Sequence, residues 1–486
     1  MKENLMSSSY PDTNLYINGK WRSGASNKWS DVIDPANEEV VGKFAVADNV
    51  DLDEALEAAN IAFNSWRKIA PFARYKIMRK AADLLRQRAD TVAQIMTIEQ
   101  GKPIAEAKGE TLLGADTIDW FAEEGRRAYG RIIPSQMENV NQIVVKEPVG
   151  PVAAFSPWNF PINQAVRKIS GAIAAGCSII LKGPEDTPAS CAELVKVFSD
   201  AGVPDGVINL VYGVPSDISN YLIPHPIIKK ISFTGSTAVG KKLASLAAEH
   251  MKLSTMELGG HAPAIVFNDA NLSAALDVLT AQKFRNAGQV CVAPTRFLIQ
   301  DELYEQFVEG YIELSNKVKL GNGLEAETTM GPLAHDRRLV AVEELVKDAV
   351  DSGAKIHSGG QRIGNVGYFY PPTVMTDVPI SARIMNEEPF GPIIPISSFN
   401  TIDEVLTEAN RLPYGLSAYA YTASSETADR VGQEIESGII GINHHGQPAI
   451  ETPFGGIQDS GQGKENGMEG LESYMHSKLI SHKTTA

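Results

Sequence analysis

Between residues 150 and 267, short apolar runs alternate with stretches of helical period. The runs are "PVAAFSP", "SIILKG", "GVINLVYG", "KKISFTGS" and "APAIVF"; the stretches between them, at 161–175, 188–201 and 237–249, repeat apolar residues every three or four positions. Continuous apolar runs suit strands buried on both faces, so this alternation predicts a parallel sheet covered by helices. A second set follows residue 291, with runs "TRFLIQ", "PIIPISSF", "LSAYAYT" and "GIIGIN" and helices predicted at 302–319, 335–352, 402–411 and 424–436. Residues 50–127 read as helix alone, with Gly101 a natural stop. Residues 128–147 break that pattern: "YGRIIPSQ" and "NQIVVKEP" are two strands around a polar turn, and "YMHSKLISH" near the end is a further strand able to join them. The prediction is an α/β protein with two parallel-sheet domains, the second opening near residue 291, and a small β arm.

Composition narrows what such a fold is for. The chain has 486 residues, 43% apolar and 21% charged, with a net charge of −15. Acidic balance of that size argues against a nucleic-acid partner, which needs a basic footprint. No apolar run reaches the length of a membrane span, the start "MKENLMSSSYPDTN" holds no apolar core of signal-peptide length, and three cysteines (Cys177, Cys191, Cys291) are too few for a disulfide framework. A cytoplasmic protein is expected, with residues 1 to about 12 a loose polar tail.

Several stretches carry candidate chemistry. "ISFTGSTAVG" is a strand, a turn containing Gly235 and a helix opening at Ser236 or Thr237, which offers free backbone N–H groups to a phosphate; alone it is equally an ordinary Ser/Thr N-cap. "SIILKGPE" ends a strand with Lys182 and Glu185, suited to ribose hydroxyls or simply to a solvated loop. "MELGGH" sets Glu257 among apolar residues and glycines, where desolvation makes a carboxylate a candidate base; a buried Glu paired with a cation is the competing reading. "SPWNFP" places Asn159 just before a helix beginning at Pro161, as an amide donor to a developing oxyanion or as a cap. In that helix Ile162, Val166, Ile169 and Ile173 form an apolar stripe, while Asn163 and Arg167 share another face. "NAGQVCVA" holds Cys291 among small neighbours, where a thiol is either a core hydrophobe or a nucleophile. Metal binding finds no support, since His444 and His445 are adjacent and diverge.

Taken together and in order, "SPWNFP", "LKGPE", "FTGST", "MELGGH", "NAGQVC", "NEEPFGP" and "PFGG" strongly resemble the aldehyde dehydrogenase superfamily over nearly the whole chain, with Glu257 and Cys291 34 residues apart. The resemblance implies an NAD(P)-binding domain of residues 1–127 and 148–258, a catalytic domain of 259–460, and an oligomerisation arm of 128–147 and 470–486. It implies Cys291 as nucleophile, Asn159 with the Cys291 N–H as oxyanion hole, Glu257 as general base and Glu465 as a proton-relay acid. Cofactor contacts implied are Pro157, Trp158, Lys182, Glu185, Gly235, Ser236, Gly240, Leu258, Glu388 and Phe390. The cofactor implied is NAD, with NADP possible, the product a free acid, and the assembly a homodimer or homotetramer.

Within the superfamily the chain looks most similar to succinate-semialdehyde and 2-oxoglutarate-semialdehyde dehydrogenases, because Arg167 and Arg285, in "QAVRKIS" and "KFRNAGQVC", match arginines that hold a substrate carboxylate. Asn163 is a third candidate substrate contact. Two departures matter: "GQPAIET" puts Ala449 or Pro448 where those enzymes place a serine, and Ala293 replaces a second cysteine that forms a redox switch in some of them. Rival readings are a dehydrogenase of uncharged aldehydes, an acylating enzyme, from which Glu257 departs, and an inactive structural relative.

Overall fold

The computed structural model describes residues 10–445 and 449–484. Its two large sheets follow the predicted alternation. The first has eight strands in the order Lys20–Arg22, Leu15–Ile17, Ile208–Val211, Ile179–Lys182, Val152–Phe155, Lys230–Thr234, Leu253–Glu257 and Gly461–Gln462. The five from Ile208–Val211 to Leu253–Glu257 are parallel, and the strands flanking them at either edge are antiparallel. Their central members are buried along their whole length, which explains the unbroken apolar runs.

Chain order reverses between Val152–Phe155 and Lys230–Thr234, because successive strands add on one side of the former and then on the other. At such a switch point the loops after both strands diverge and leave a crevice at the carboxyl ends. Those loops carry "SPWN" and "GST". The helix following the first, Pro161–Ala175, is buried at every residue except Arg167. The predicted stripe of Ile162, Val166, Ile169 and Ile173 is thus one side of a helix enclosed all round.

The second sheet has seven strands, in the order Lys355–Ser358, Thr373–Thr376, Ile393–Phe399, Pro294–Gln300, Ala262–Val266, Ser417–Tyr421 and Ile439–Ile442, all parallel but for the first. "APAIVF", grouped by its pattern with the first series of strands, lies instead beside Pro294–Gln300 in this second sheet. An apolar run of that length fits either sheet, and only pairing decides.

Helices within the second set are shorter than their periodicity suggested, running Tyr304–Ser315, Asp336–Asp351, Ile402–Ala409 and Ser425–Glu434. The predicted ends were caps: His335, Thr401 and Ser424 each accept a backbone N–H at the N-cap. Gly101 does end Ala89–Gln100, at φ +92°.

Residues 131–133 and 140–148 form two strands of a separate sheet, and Met475–Lys483 pairs antiparallel with Val140–Pro148 over its full length. Ile132, Leu479 and Ile480 stand exposed on it. Short strands at Leu15–Ile17, Lys20–Arg22, Lys28–Ile33, Val40–Val46, Lys355–Ser358 and Thr373–Thr376 are absent from the sequence reading, being three to seven residues long with mixed patterns. The predicted tail is also too long: Tyr10 is buried and its hydroxyl donates to Glu99, while residues 1–9 lie outside the described part. Among the described residues no helix is long and apolar enough to cross a membrane.

Candidate active site

The crevice of the first sheet faces the start of the second, and the sequence-predicted side chains gather there. Cys291 sits just ahead of Pro294–Gln300, on a turn where Asn286 and Ala287 hold φ +49° and +52° and Gly288 +73°. Two successive non-glycine residues in the left-handed region cost free energy that surrounding bonds must offset. Those bonds are present: Asn286 N donates to Glu106 Oε2 at 2.9 Å, Gln100 Nε2 to Asn286 Oδ1 at 2.8 Å, and Tyr419 Oη to the Val292 carbonyl at 2.7 Å. Cys291 is half-buried and lines a recess of about 480 Å³, mouth included, with Asn163, Arg167, Arg285, Phe160 and Phe454.

All three thiols are pushed up by burial, Cys177 to about 11 and both Cys191 and Cys291 to about 12. For Cys291 the carboxylates of Glu388 and Glu257 add to the rise, and Arg167 and Arg285 oppose it. Position separates the three: Cys177 and Cys191 are fully buried, and the Cys177 thiol donates to the Tyr474 carbonyl.

Asn159 is not a cap. Phe160 occupies the N-cap of Pro161–Ala175, and Asn159 Nδ2 donates to the Gln289 carbonyl at 3.0 Å, two residues before the thiol. One amide hydrogen is therefore committed and the other is left for a ligand. Glu257 ends its strand 2% exposed, and among the described residues neither carboxylate oxygen has a hydrogen-bond partner, which removes the paired-glutamate reading. Desolvation, followed by the nearby charge of Glu465, raises its pKa well above the ordinary carboxylate range, against Lys168 and Arg167. A side chain at Gly455 would collide with Glu257 Oε1, so "PFGG" abuts this carboxylate. Glu465 is buried and forms an ion pair with Lys168, whose ammonium also donates to Thr234 Oγ1 at 2.7 Å.

The proposed cofactor residues line the crevice. Lys182 and Glu185 pair with each other at the end of strand Ile179–Lys182, Lys182 buried and Glu185 one-third exposed. Ser236 occupies the N-cap of Thr237–Glu249, directly after Gly235, and makes no capping bond with its side chain, so the helix start keeps its amides free. Gly240 lies against Leu258, where any side chain would overlap it. Pro157 leads into Trp158, whose ring is edge-on to Phe390 at 5.7 Å and to His335 at 4.9 Å. Glu388 is half-buried, accepts Gly260 N at 3.0 Å, and is pushed up to about 7 by desolvation. Free amides, apolar walls and two carboxylates fit a dinucleotide with hydroxyl-bearing riboses.

Arg167 and Arg285 reach the recess from opposite sides. Arg167 packs over Phe454, 4.3 Å from the ring centre, and Arg285 over Phe160 at 5.0 Å; among the described residues neither pairs with a carboxylate. Asn163 Oδ1 is buried without a partner in the same recess. Ala449 is exposed, and Pro448 lies outside the described residues. No metal-binding group of His, Cys, Asp or Glu occurs among the described residues; His445 stacks on Tyr419 instead.

A family model described as "Aldehyde dehydrogenase family" matches residues 21–480. The chain belongs to the aldehyde dehydrogenase family. A 4-(hydroxymethyl)benzenesulfonate dehydrogenase named as putative, from Comamonas testosteroni, is 43% identical over 468 residues, 96% of this chain and 98% of that protein. An NADP-dependent succinate-semialdehyde dehydrogenase from Escherichia coli K12 is 40% identical, over 96% of this chain and 98% of that one. A crystal structure of an E. coli NADP-dependent enzyme superposes with a TM-score of 0.97 at 40% identity, covering 99% of this chain and 100% of the other.

Sequence reasoning missed Lys168, Phe160 and Phe454. No sequence feature set Lys168 apart, since Asn163, Gln164, Arg167 and Ser170 share its helix. Phe160 and Phe454 sat inside recognised motifs without a role of their own, and their place under the two guanidiniums needs the fold.

Proposed function

We propose that this aldehyde dehydrogenase oxidises an aldehyde carrying a distal anion to the free acid, with Cys291 as nucleophile. The observation that carries this is the recess itself, in which the thiol shares a wall with two half-buried guanidiniums that form no ion pair with a carboxylate among the described residues. A cation partly withdrawn from water and left without an ion pair is costly, so a site that keeps two suits an anionic ligand. Succinate semialdehyde and 2-oxoglutarate semialdehyde rank level as substrates, with glutarate semialdehyde third. The relatives named for succinate semialdehyde and for a benzenesulfonate, both compounds with a terminal anion, support the class.

In this reading the Cys291 proton passes to water in the recess, and the thiolate sulfur bonds the aldehyde carbon as the carbonyl pi pair moves to its oxygen, giving a thiohemiacetal anion. The free hydrogen of the Asn159 amide and the Cys291 N–H hold its oxyanion. NAD(P), held by Lys182, Glu185, the Ser236 helix start, Glu388 and Phe390, supplies the hydride acceptor when bound. Glu257 then takes a proton from water as the water oxygen attacks the thioester carbon, the C–S bond breaks, and the acid and the Cys291 thiolate are released. Lys168 and Glu465 offer the proton a way out. Glu185 favours NAD over NADP, since a carboxylate repels a 2′-phosphate. The eight-stranded sheet serves as cofactor domain, the seven-stranded sheet as catalytic domain, and the three-stranded arm as a dimer or tetramer contact.

A panel of aldehydes tests this, with NADH or NADPH formation followed by absorbance. Four- and five-carbon ω-carboxy aldehydes are expected to exceed hexanal in kcat/KM, and Cys291→Ala is expected to abolish turnover while retaining NAD binding. Preference for hexanal would support the uncharged-aldehyde reading instead.

A further inference from the structure

The nucleophile loop and Asn159 belong to different sheets, yet an oxyanion hole needs them in register to a fraction of an ångström. A buried polar network spans the gap. The Asn159 carbonyl accepts Lys102 Nζ at 2.8 Å from its own side and Asn286 Nδ2 at 2.9 Å from the side of Cys291. Lys102 is fully buried, lies 3.9 Å from the centre of the Phe160 ring, and pairs with Glu110 at 2.6 Å. The other Glu110 oxygen accepts Ile162 N at 2.9 Å and Asn163 N at 3.1 Å, the first amides of the helix that follows Asn159. The Glu110 carboxylate therefore caps that helix where its dipole favours negative charge. On the catalytic side Gln289 Nε2 donates to the Asn286 carbonyl at 3.0 Å, and its Oε1 accepts Ala334 N at 3.0 Å.

Nothing in this set touches the recess as a reacting group, and most of it is remote from solvent. We infer that Lys102, Glu110 and Asn286 are positioning residues that clamp the Asn159 main chain from both sides, and so set the amide against Cys291. The inference rests on Asn159 acting as the oxyanion donor. Lys102 and Asn286 converge on one carbonyl from two domains, a redundancy that a purely local fold contact would not need. The Lys102–Glu110 charges cancel within the cofactor side, so the clamp imposes no net charge on the thiol.

Three proteins test it: Asn286→Gly, which keeps the left-handed backbone but removes the amide, Lys102→Met, and the double variant Lys102→Met/Glu110→Gln, which leaves no buried charge stranded. Each holoenzyme is assayed for the pre-steady-state NADH burst, KM for succinate semialdehyde, thermal midpoint, and alkylation of Cys291 by iodoacetamide, a reaction that needs no oxyanion hole. The expected result is a burst slowed on the order of 10²-fold with KM and alkylation near parent values. The double variant should regain the thermal midpoint lost by Lys102→Met without regaining the burst rate. A burst at the parent rate overturns the inference. Burst and alkylation falling together also overturn it, because the residues then merely keep the Cys291 loop folded. Asn159→Ala, assayed beside them, overturns the donor reading beneath the inference if its burst keeps the parent rate.

Discussion

Replacing Arg167 by Ala isolates the anion site. Arg167 has no carboxylate partner among the described residues, so its loss strands no protein charge, and what it costs a substrate is what the guanidinium gave that substrate. A charge-assisted hydrogen bond contributes about 1.5–3 kcal/mol. At about 1.36 kcal/mol per decade this is a fall of about 13- to 160-fold in kcat/KM. The guanidinium also lies 4.3 Å from the Phe454 ring centre, a contact of roughly 0.5–1 kcal/mol whose loss lets the ring relax for every substrate. The measurement is therefore a ratio: kcat/KM for succinate semialdehyde over that for hexanal, in parent and variant. Phe454 relaxation cancels in the ratio and anion binding does not. Equal losses on both aldehydes would show that Arg167 is structural, and the ω-carboxy substrate class would fall with it. Arg285→Ala should lower the ratio in the same direction, since Arg285 lines the same recess.

Glu257→Gln should leave the NADH burst and slow the turnover after it, on the order of 10²–10⁴-fold; turnover at the parent rate with no burst would refute its role as base. The Glu257 carboxyl is raised in the folded state, so its contribution to stability is full below its unfolded value of about 4.3 and is lost as pH rises through the folded pKa. Glu257→Gln is accordingly expected to raise the thermal midpoint at alkaline pH, with the gain shrinking as pH falls, while thioester hydrolysis in the parent slows on acidification through the same range. Glu185, paired with Lys182 at the strand end, predicts a higher kcat/KM with NAD than with NADP, and equality or reversal would show that its carboxylate turns away from the 2′ position. Light scattering should give at least twice 52.4 kDa, because the exposed Ile132, Leu479 and Ile480 make the three-stranded arm a poor free surface; a fully active monomer would refute this.

Periodicity and local chemistry determined much of this protein before any coordinate. Unbroken apolar runs between helical stretches required strands covered on both faces, and that pattern alone placed the central strands and the helices 161–175, 188–201 and 237–249. Local chemistry made Cys291, Glu257 and Asn159 candidates among competing readings, and the resemblance of the ordered motifs to aldehyde dehydrogenases singled them out together with both arginines. Tertiary structure decided which sheet "APAIVF" joins, since pairing is a long-range choice among equivalent apolar strands. It also decided that Asn159 is not a cap and that Glu257 has no counter-ion, because a side chain's partners come from distant segments: Gln289 for the one, the Gly455 turn for the other. Lys168, Lys102, Glu110 and Asn286 were invisible for the same reason. A buried charge looks like a surface charge in sequence, and only the packed core shows that it must have been given a partner.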